Sequence, residues 1–203
     1  MRKVQVSDRS NSKNTSEAVN NALAAAVERC AHKGLFKAPP GVSQDLRVLG
    51  APYPVRLNRF AASLFGIVHQ AAYLMVYNRT ATGEMEIWVA RRSAEAATYP
   101  NKLATVGGLV CAADTTPLEA IIRLAGEETS LPSHLVRQRI RDVGLIRYMT
   151  ILPLRYIENN SRIKPCMVHV YEMEVDWPLS PKRGNSEVES FSKMDAKEVR
   201  RAL

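Results

Sequence analysis

Arg123, Glu127 and Glu128 fall within PLEAIIRLAGEET, residues 117–129. On a helix, residues four apart are neighbours, so Arg123 meets Glu127 and Leu124 meets Glu128. Positions 124, 127 and 128 then share one helix edge. Carboxylates along such an edge offer oxygen ligands to Mg²⁺ or Mn²⁺, and the ion in turn grips a diphosphate. The chain supplies glutamate at two of these positions and leucine at the third. Glu127 and Glu128 are therefore the candidate metal ligands and catalytic carboxylates. Arg123 is the candidate residue that locks them in place through an ion pair. The bland alternative is that two adjacent glutamates in the last turns of a helix are solvated surface.

The helix carrying them has strong local signals. Thr116 precedes Pro117, and Glu119 follows Thr116 by three residues: an N-cap, a proline at the first helical position and a capping-box glutamate. Leu118, Ile121, Ile122 and Ala125 recur at helical spacing and form one apolar face. The turn Gly107-Gly108 lies upstream of a loop rich in small residues.

Other residues are candidates for contact with an anionic ligand. Arg91 and Arg92 close a predicted strand and present planar donor forks suited to phosphate, although arginines there are about as often plain surface. His69 and His169 lie in apolar strand patterns and read as structural. Trp88 and Tyr148 read as core or pocket wall. Cys111 has no base beside it in the sequence, which argues against a catalytic thiol.

Composition narrows the class. The 203 residues suffice for one domain plus an extension, and the net charge of +8 suggests an anionic ligand. No stripe of Lys and Arg interleaved with aromatics supports a nucleic-acid partner. No apolar run is long enough to span a membrane. Cys30, Cys111 and Cys166 are odd in number and far apart, reading as reduced thiols in a cytoplasmic protein. The polar start, lacking an apolar stretch after its positive charges, does not resemble a secretory signal.

The elements that must position the candidates follow from pattern. Residues 1–14 are polar. An Ala-rich helix is predicted over 16–33, capped by Ser16 and stopped at Gly34, followed by a Pro-rich linker. A short helix near 59–66 leads to strands at 69–77, 86–92 and 103–110. The helix at 117–129 is followed by a short helix near 133–141, strands near 143–152 and 166–176, and a last helix over 195–202. Strands alternating with helices give an α/β architecture, an α/β/α sandwich with a mixed sheet. Residues 1–56 form an N-terminal helical extension and 57–203 the main domain.

Residues 107–131 resemble the signature of the Nudix hydrolases, G-x5-E-x7-R-E-U-x-E-E-x-G-U with U bulky and aliphatic. Gly108, Arg123, Glu127, Glu128 and Leu131 fall on pattern positions. Leu124 stands where the family keeps a metal-binding glutamate, and Ser130 where it keeps a glycine. Asp114 is the acid nearest the loop glutamate, with Thr115 an equal claimant because the loop is about one residue longer than usual. The segments LNRFAASLFGIVHQAAYLMVY, EIWVARRS, YPNKL and NSEVESFSKMDAKEV are similar to one branch, the Nudix domain associated with thiamin pyrophosphokinase in fungi and plants. Asn101 and Ala104 replace the glycine and aspartate of that branch. The resemblance covers roughly residues 57–203 and implies the Nudix fold. It also implies an extra carboxylate in a late loop, for which Glu187 and Glu189 are the candidates, as metal ligand or general base.

Two functions follow. The first is a Mg²⁺-dependent pyrophosphohydrolase acting on an organic, cofactor-like diphosphate. Its candidate catalytic residues are Arg123, Glu127, Glu128, Glu187 and Glu189, and its candidate substrate-binding residues Arg91, Arg92, Gly107, Gly108 and Asp114. The second is a Nudix-fold protein that has lost hydrolysis and binds or transforms a small metabolite by acid–base chemistry. Family prevalence favours the first. In either case the partner is a small, anionic or diphosphate-bearing molecule, and a homodimer is left open. If Leu124 marks a lost ligand, Leu124→Glu is expected to be tolerated and to raise metal affinity.

Overall fold

The computed structural model describes residues 14–37, 44–96, 98–111, 116–151, 163–176 and 179–202. The chain divides into two compact units. The first is Met1–Gln70 with Cys111–Ala113 and Arg147–Met167; the second is Ala71–Val110, Asp114–Ile146 and Val168–Leu203.

In the first unit, helix α1 (Thr15–His32) packs against β2 (Arg56–Asn58), which pairs antiparallel with β1 (Asp45–Arg47). The sequence pattern missed both strands, treating this region as a linker. Ser16 is not the helix cap either: Asn14 holds that position, and its amide donates to the Glu17 carboxylate. The Ser16 hydroxyl instead donates to the Pro54 carbonyl. Asn20 adds a second tie, donating to Pro54 O at 3.1 Å and accepting from Arg56 N at 2.9 Å. Ala62–Phe65 forms a single 3-10 turn where a short helix was predicted.

The second unit contains most of a seven-stranded sheet. Its strands are β3 (His69–Arg79), β4 (Met85–Arg92), β5 (Leu103–Ala104), β6 (Val106–Leu109), β7 (Arg141–Ile151), β8 (Ile163–Glu174) and β9 (Val188–Met194). The main order is β5-β4-β3-β8-β7, with β6 also on β3 and β9 on β4. β3 is antiparallel to both β4 and β6. Val175, just past the end of β8, donates to Tyr77 O near the end of β3 at 2.8 Å, so β8 runs parallel to β3 and the sheet is mixed. The sequence pattern gives no strand at 188–194 and places Glu187 and Glu189 in a loop, whereas Glu189 belongs to β9. One extra residue, Glu189, sits in a bulge between the Arg91–Ser190 and Arg92–Val188 pairs and breaks the alternation that marks a strand.

Helix α2 (Pro117–Thr129) has the expected bounds. Thr116 Oγ1 accepts from Glu119 N at 3.1 Å, and Ala120, Ile121, Ile122 and Ala125 are buried. Each fully buried large aliphatic contributes about 1.5–3 kcal/mol. These side chains join Ala72, Leu74, Val76 and Val106 in one core cluster, and α2 packs against β6. Gly107 suits both neighbours of β6: its φ is +128°, and a Cβ there would lie 2.2 Å from the Ala72 carbonyl oxygen on β3 and 3.0 Å from Ile121 Cδ1 on α2. α3 (Ser133–Arg139) is fastened to α2 by an Arg137–Glu119 fork of 2.9 and 2.8 Å. The last helix, α4 (Ala196–Ala202), packs against β4 and β9. Tyr148, expected in the core or a pocket wall, is 44% exposed on β7. Among the described residues, no helix is long and apolar enough to cross a membrane.

α2 ends at Ser130 in the left-handed conformation, φ 56° and ψ 17°. A side chain with a Cβ pays roughly 1 kcal/mol there, whereas glycine does not. Ser130→Gly is therefore expected to stabilise the protein by about 0.5–1 kcal/mol, offset in part by the greater entropy of glycine in the unfolded chain. Chemical denaturation of the two proteins checks this, and an unchanged or lowered midpoint would count against the cap assignment.

Candidate functional site

Glu128 sits at the centre of the candidate groups. It is 8% exposed, and its Oε2 accepts from the Gly107 backbone N–H at 3.0 Å. Burial pushes its carboxyl up to about 7; the neighbouring Glu187 and Glu127 push the same way, while the Gly107 N–H and Arg92 oppose it. A buried carboxyl near half-ionisation at neutral pH can accept or return a proton.

Three features hold Glu128 there. Gly107, on β6, is fixed by antiparallel pairing with Tyr73. The end of α2 is covered by the segment after β8, where Lys182 N donates to Thr129 O at 2.8 Å and Gly184 N to Glu128 O at 3.1 Å. Gly184 lies so close that a Cβ would come within 2.3 Å of Glu127 O. Thr129, fully buried, donates its hydroxyl to Ala125 O.

Arg92 faces Glu128 from β4. Its Nε donates to Thr98 O at 2.8 Å, and its Nη2 donates to Thr98 Oγ1 at 3.4 Å and Glu187 Oε2 at 3.3 Å. Ser93 N donates to Glu187 O at 2.8 Å, bringing the Glu187 segment to the end of β4. Strand alternation sends Arg91 to the opposite face, where its Nη1 donates to Asn101 O at 3.2 Å. Arg92 and Glu187 thus share the Glu128 environment, whereas Arg91 makes its contact elsewhere. Glu189 occupies the β9 bulge and is exposed. Asp114, with Thr115, lies outside the described residues. Gly108 is half-buried beside Leu124. Sequence reading did not find Thr98 or Gly184. Gly184 carried a local signal as a glycine between two charged segments; Thr98 carried none, because its role follows from a loop folding back onto Arg92.

Glu127 differs from Glu128. It is exposed, and both its oxygens accept from Arg123 Nη1, at 3.2 and 3.0 Å, in the expected ion pair. Leu124 does not line a polar cleft, as the Leu124→Glu expectation assumed. It is half-buried and packs against the core cluster, with Cδ1 4.0 Å from a Cβ built on Gly108. Among the described residues, no three His, Cys, Asp or Glu side chains stand together as a metal-binding set. Position 124 is apolar, Glu127 is engaged by Arg123 and Glu187 by Arg92. These side chains do not fit a resident three-carboxylate Mg²⁺ centre. His69 is structural, buried with Nε2 donating to Arg59 O at 2.9 Å, and burial pushes its pKa down to about 4.

Two outcomes follow from this geometry. The folded protein binds the Glu128 proton more tightly than the unfolded chain does. The stability this gives is complete below about pH 4.5 and disappears as pH rises to about 7. Glu128→Gln keeps an acceptor for Gly107 N–H without the charge. It should flatten that slope, leaving the variant more stable than wild type at pH 8 by up to roughly 3 kcal/mol. Denaturation midpoints from pH 4 to 8 measure it; parallel curves would show that Glu128 titrates normally. Leu124→Glu, in turn, should cost about 1–3 kcal/mol, because it removes apolar contact and half-buries a charge. Its stability curve is the measurement, and a neutral substitution would mean that the edge is polar after all.

Comparison with known proteins places this geometry. A family model described as NUDIX domain matches residues 68–202. The chain is 27% identical over 181 residues to Nudix hydrolase 24, chloroplastic, of Arabidopsis thaliana, covering 84% of this chain and 44% of that protein. It is 26% identical over 188 residues to Nudix hydrolase 20, chloroplastic, of the same plant, covering 88% of this chain and 46% of that protein. The chain thus spans a little under half the length of these curated relatives. Among solved structures, DR0079 from Deinococcus radiodurans superposes with a TM-score of 0.53 at 19% identity, covering 77% of this chain and 85% of that one, which supports the fold. With the mixed sheet, the helix α2 on β6 and a family match over residues 68–202, the chain belongs to the NUDIX domain family.

Proposed function

We propose that this protein is a pyrophosphohydrolase acting on a small organic diphosphate, with Glu128 as general base and Arg92 as phosphate-binding residue. The observation that carries the reading is the buried Glu128 carboxyl, held by Gly107 N–H and poised at about 7. One oxygen is occupied by that N–H, leaving the other to take a proton from an attacking water. The water oxygen bonds to phosphorus while the bridging P–O bond breaks, and the bridging oxygen leaves with its electron pair. The proton taken by Glu128 returns to solvent or to the leaving group. Arg92, already oriented by Thr98, offers its guanidinium to the non-bridging oxygens and offsets charge there.

In this reading Mg²⁺ enters with the substrate, as the metal complex of the diphosphate, and is not a resident ion. The resemblance to the thiamin pyrophosphokinase-associated branch points to thiamin diphosphate or another cofactor-like diphosphate. The partner is a small molecule, with neither nucleic acid nor membrane required, and the compartment proposed is the cytoplasm.

Leu124 supports a second reading. An apolar wall beside Gly108 and a carboxyl that is partly protonated at neutral pH suit a Nudix-fold protein that binds or rearranges a metabolite by acid–base chemistry. One experiment separates the two: titration calorimetry and phosphate release with thiamin diphosphate and a panel of organic diphosphates, with and without Mg²⁺. The hydrolase reading expects no heat from Mg²⁺ alone and phosphate release with Mg²⁺ and substrate together. That release should rise with pH through about 7 as Glu128 loses its proton, and fall about 10²–10⁴-fold in Glu128→Gln. Ligand binding without release would favour the second reading.

A further inference from the structure

Arg92 and Glu187 are 95 residues apart in sequence, yet their side chains meet at 3.3 Å beside Glu128. The arginine is the more enclosed partner, with side-chain exposure of 19% against 53% for the glutamate. Its Nε and part of its Nη2 are fixed by Thr98 O and Oγ1, so the guanidinium plane is set by the protein on one side. The remaining reach of Nη2 ends on a glutamate oxygen. A carboxylate and a phosphate face a guanidinium with the same pair of acceptor oxygens.

We propose that Glu187 is an internal stand-in for substrate phosphate: it occupies Arg92 in the free protein and is displaced when a diphosphate binds. This rests on the reading of the site as a diphosphate site. The chemistry favours exchange over a fixed structural pair. A half-exposed glutamate released into water regains its hydration, so losing this pair costs little. Arg92 released from Glu187 would otherwise stand near the buried Glu128 with one donor unanswered, and a phosphate oxygen answers it. The swap also acts on Glu128. Glu187 is one of the charges that keep its proton on. Moving Glu187 away and bringing a phosphate in keeps an anion beside Glu128. Glu187 is held through its backbone, by Ser93 N to Glu187 O and by Glu187 N to Asn185 Oδ1, so the side chain is free to swing while its loop stays in place.

The test is titration calorimetry of the full chain with inorganic pyrophosphate as its Mg²⁺ complex, comparing wild type, Glu187→Gln and Arg92→Gln. Removal of the competing carboxylate should tighten pyrophosphate binding about two- to fivefold in Glu187→Gln, the range expected for a half-exposed ion pair. Removal of the guanidinium should weaken it about tenfold or more in Arg92→Gln. If wild type binds and Glu187→Gln binds equally or more weakly, Glu187 is not a competitor and the inference is overturned. If none of the three proteins binds pyrophosphate, the diphosphate reading itself fails. Far-UV circular dichroism of each variant establishes folding, and Glu187→Asp supplies a second, conservative variant that should retain the pair and bind like wild type.

Discussion

The contact on which the site depends is the hydrogen bond from Gly107 N–H to the Glu128 carboxylate. It joins the sheet to α2 at the point where both surrender solvent. Gly107 has a φ of +128° and no Cβ, so β6 can lie against β3 while its N–H points at the helix. Glu128 lies one turn after Leu124 on α2, at the boundary between the apolar face and the helix end. One hydrogen bond to a buried carboxylate does not offset the full cost of desolvating its charge, which is why the proton stays until about pH 7. The carboxyl that is costly to bury is thereby the group best tuned for proton transfer. Structure and chemistry come from the same imbalance.

Glu127 and Glu128 are neighbours in sequence and opposites in environment. A rotation of 100° per residue around the helix is enough to put one in solvent beside Arg123 and the other against β6. Adjacent carboxylates in the sequence therefore do not make a two-carboxylate centre by adjacency alone. Whatever cation serves the site must meet one glutamate already paired with an arginine and one buried glutamate that is about half-protonated at neutral pH. An ion that arrives on a diphosphate brings its own oxygen ligands, which suits a site with so few to offer. Gly184, pressed against Glu127 O, keeps the loop that carries Glu187 close to both.

Much of this was legible in the sequence because it is local. The Thr116 cap, Pro117, the apolar positions and the Arg123–Glu127 pair depend on residues within four of one another, and α2 has the predicted bounds. β3 and β4 showed clear apolar patterns and started within a residue of the expected positions. The parts that were not legible are set by contacts distant in sequence or by broken periodicity. β1 and β2 have three residues each, too few to show alternation, and lie in a Pro-rich segment. β9 hides behind the Glu189 bulge. Ser16 looked like a cap, but a proline carbonyl 38 residues away takes its hydroxyl.

Leu124 shows where sequence pattern and packing part company. Helical spacing places it one turn before Glu128 and suggests a polar edge shared with Glu127, whereas Leu124 packs against the core and Glu127 turns away to Arg123. The edge runs along the margin of the core, and the residue one turn before Glu128 packs against the α2–β6 contact. A glutamate at 124 would bring a second carboxylate next to a buried one that is already close to neutral, and the two charges would oppose each other without a cation between them. Leucine removes that repulsion and adds apolar contact. Leucine at 124 thus leaves the edge without a further oxygen ligand while packing α2 against the sheet, and Arg92 is the cation whose field reaches Glu128.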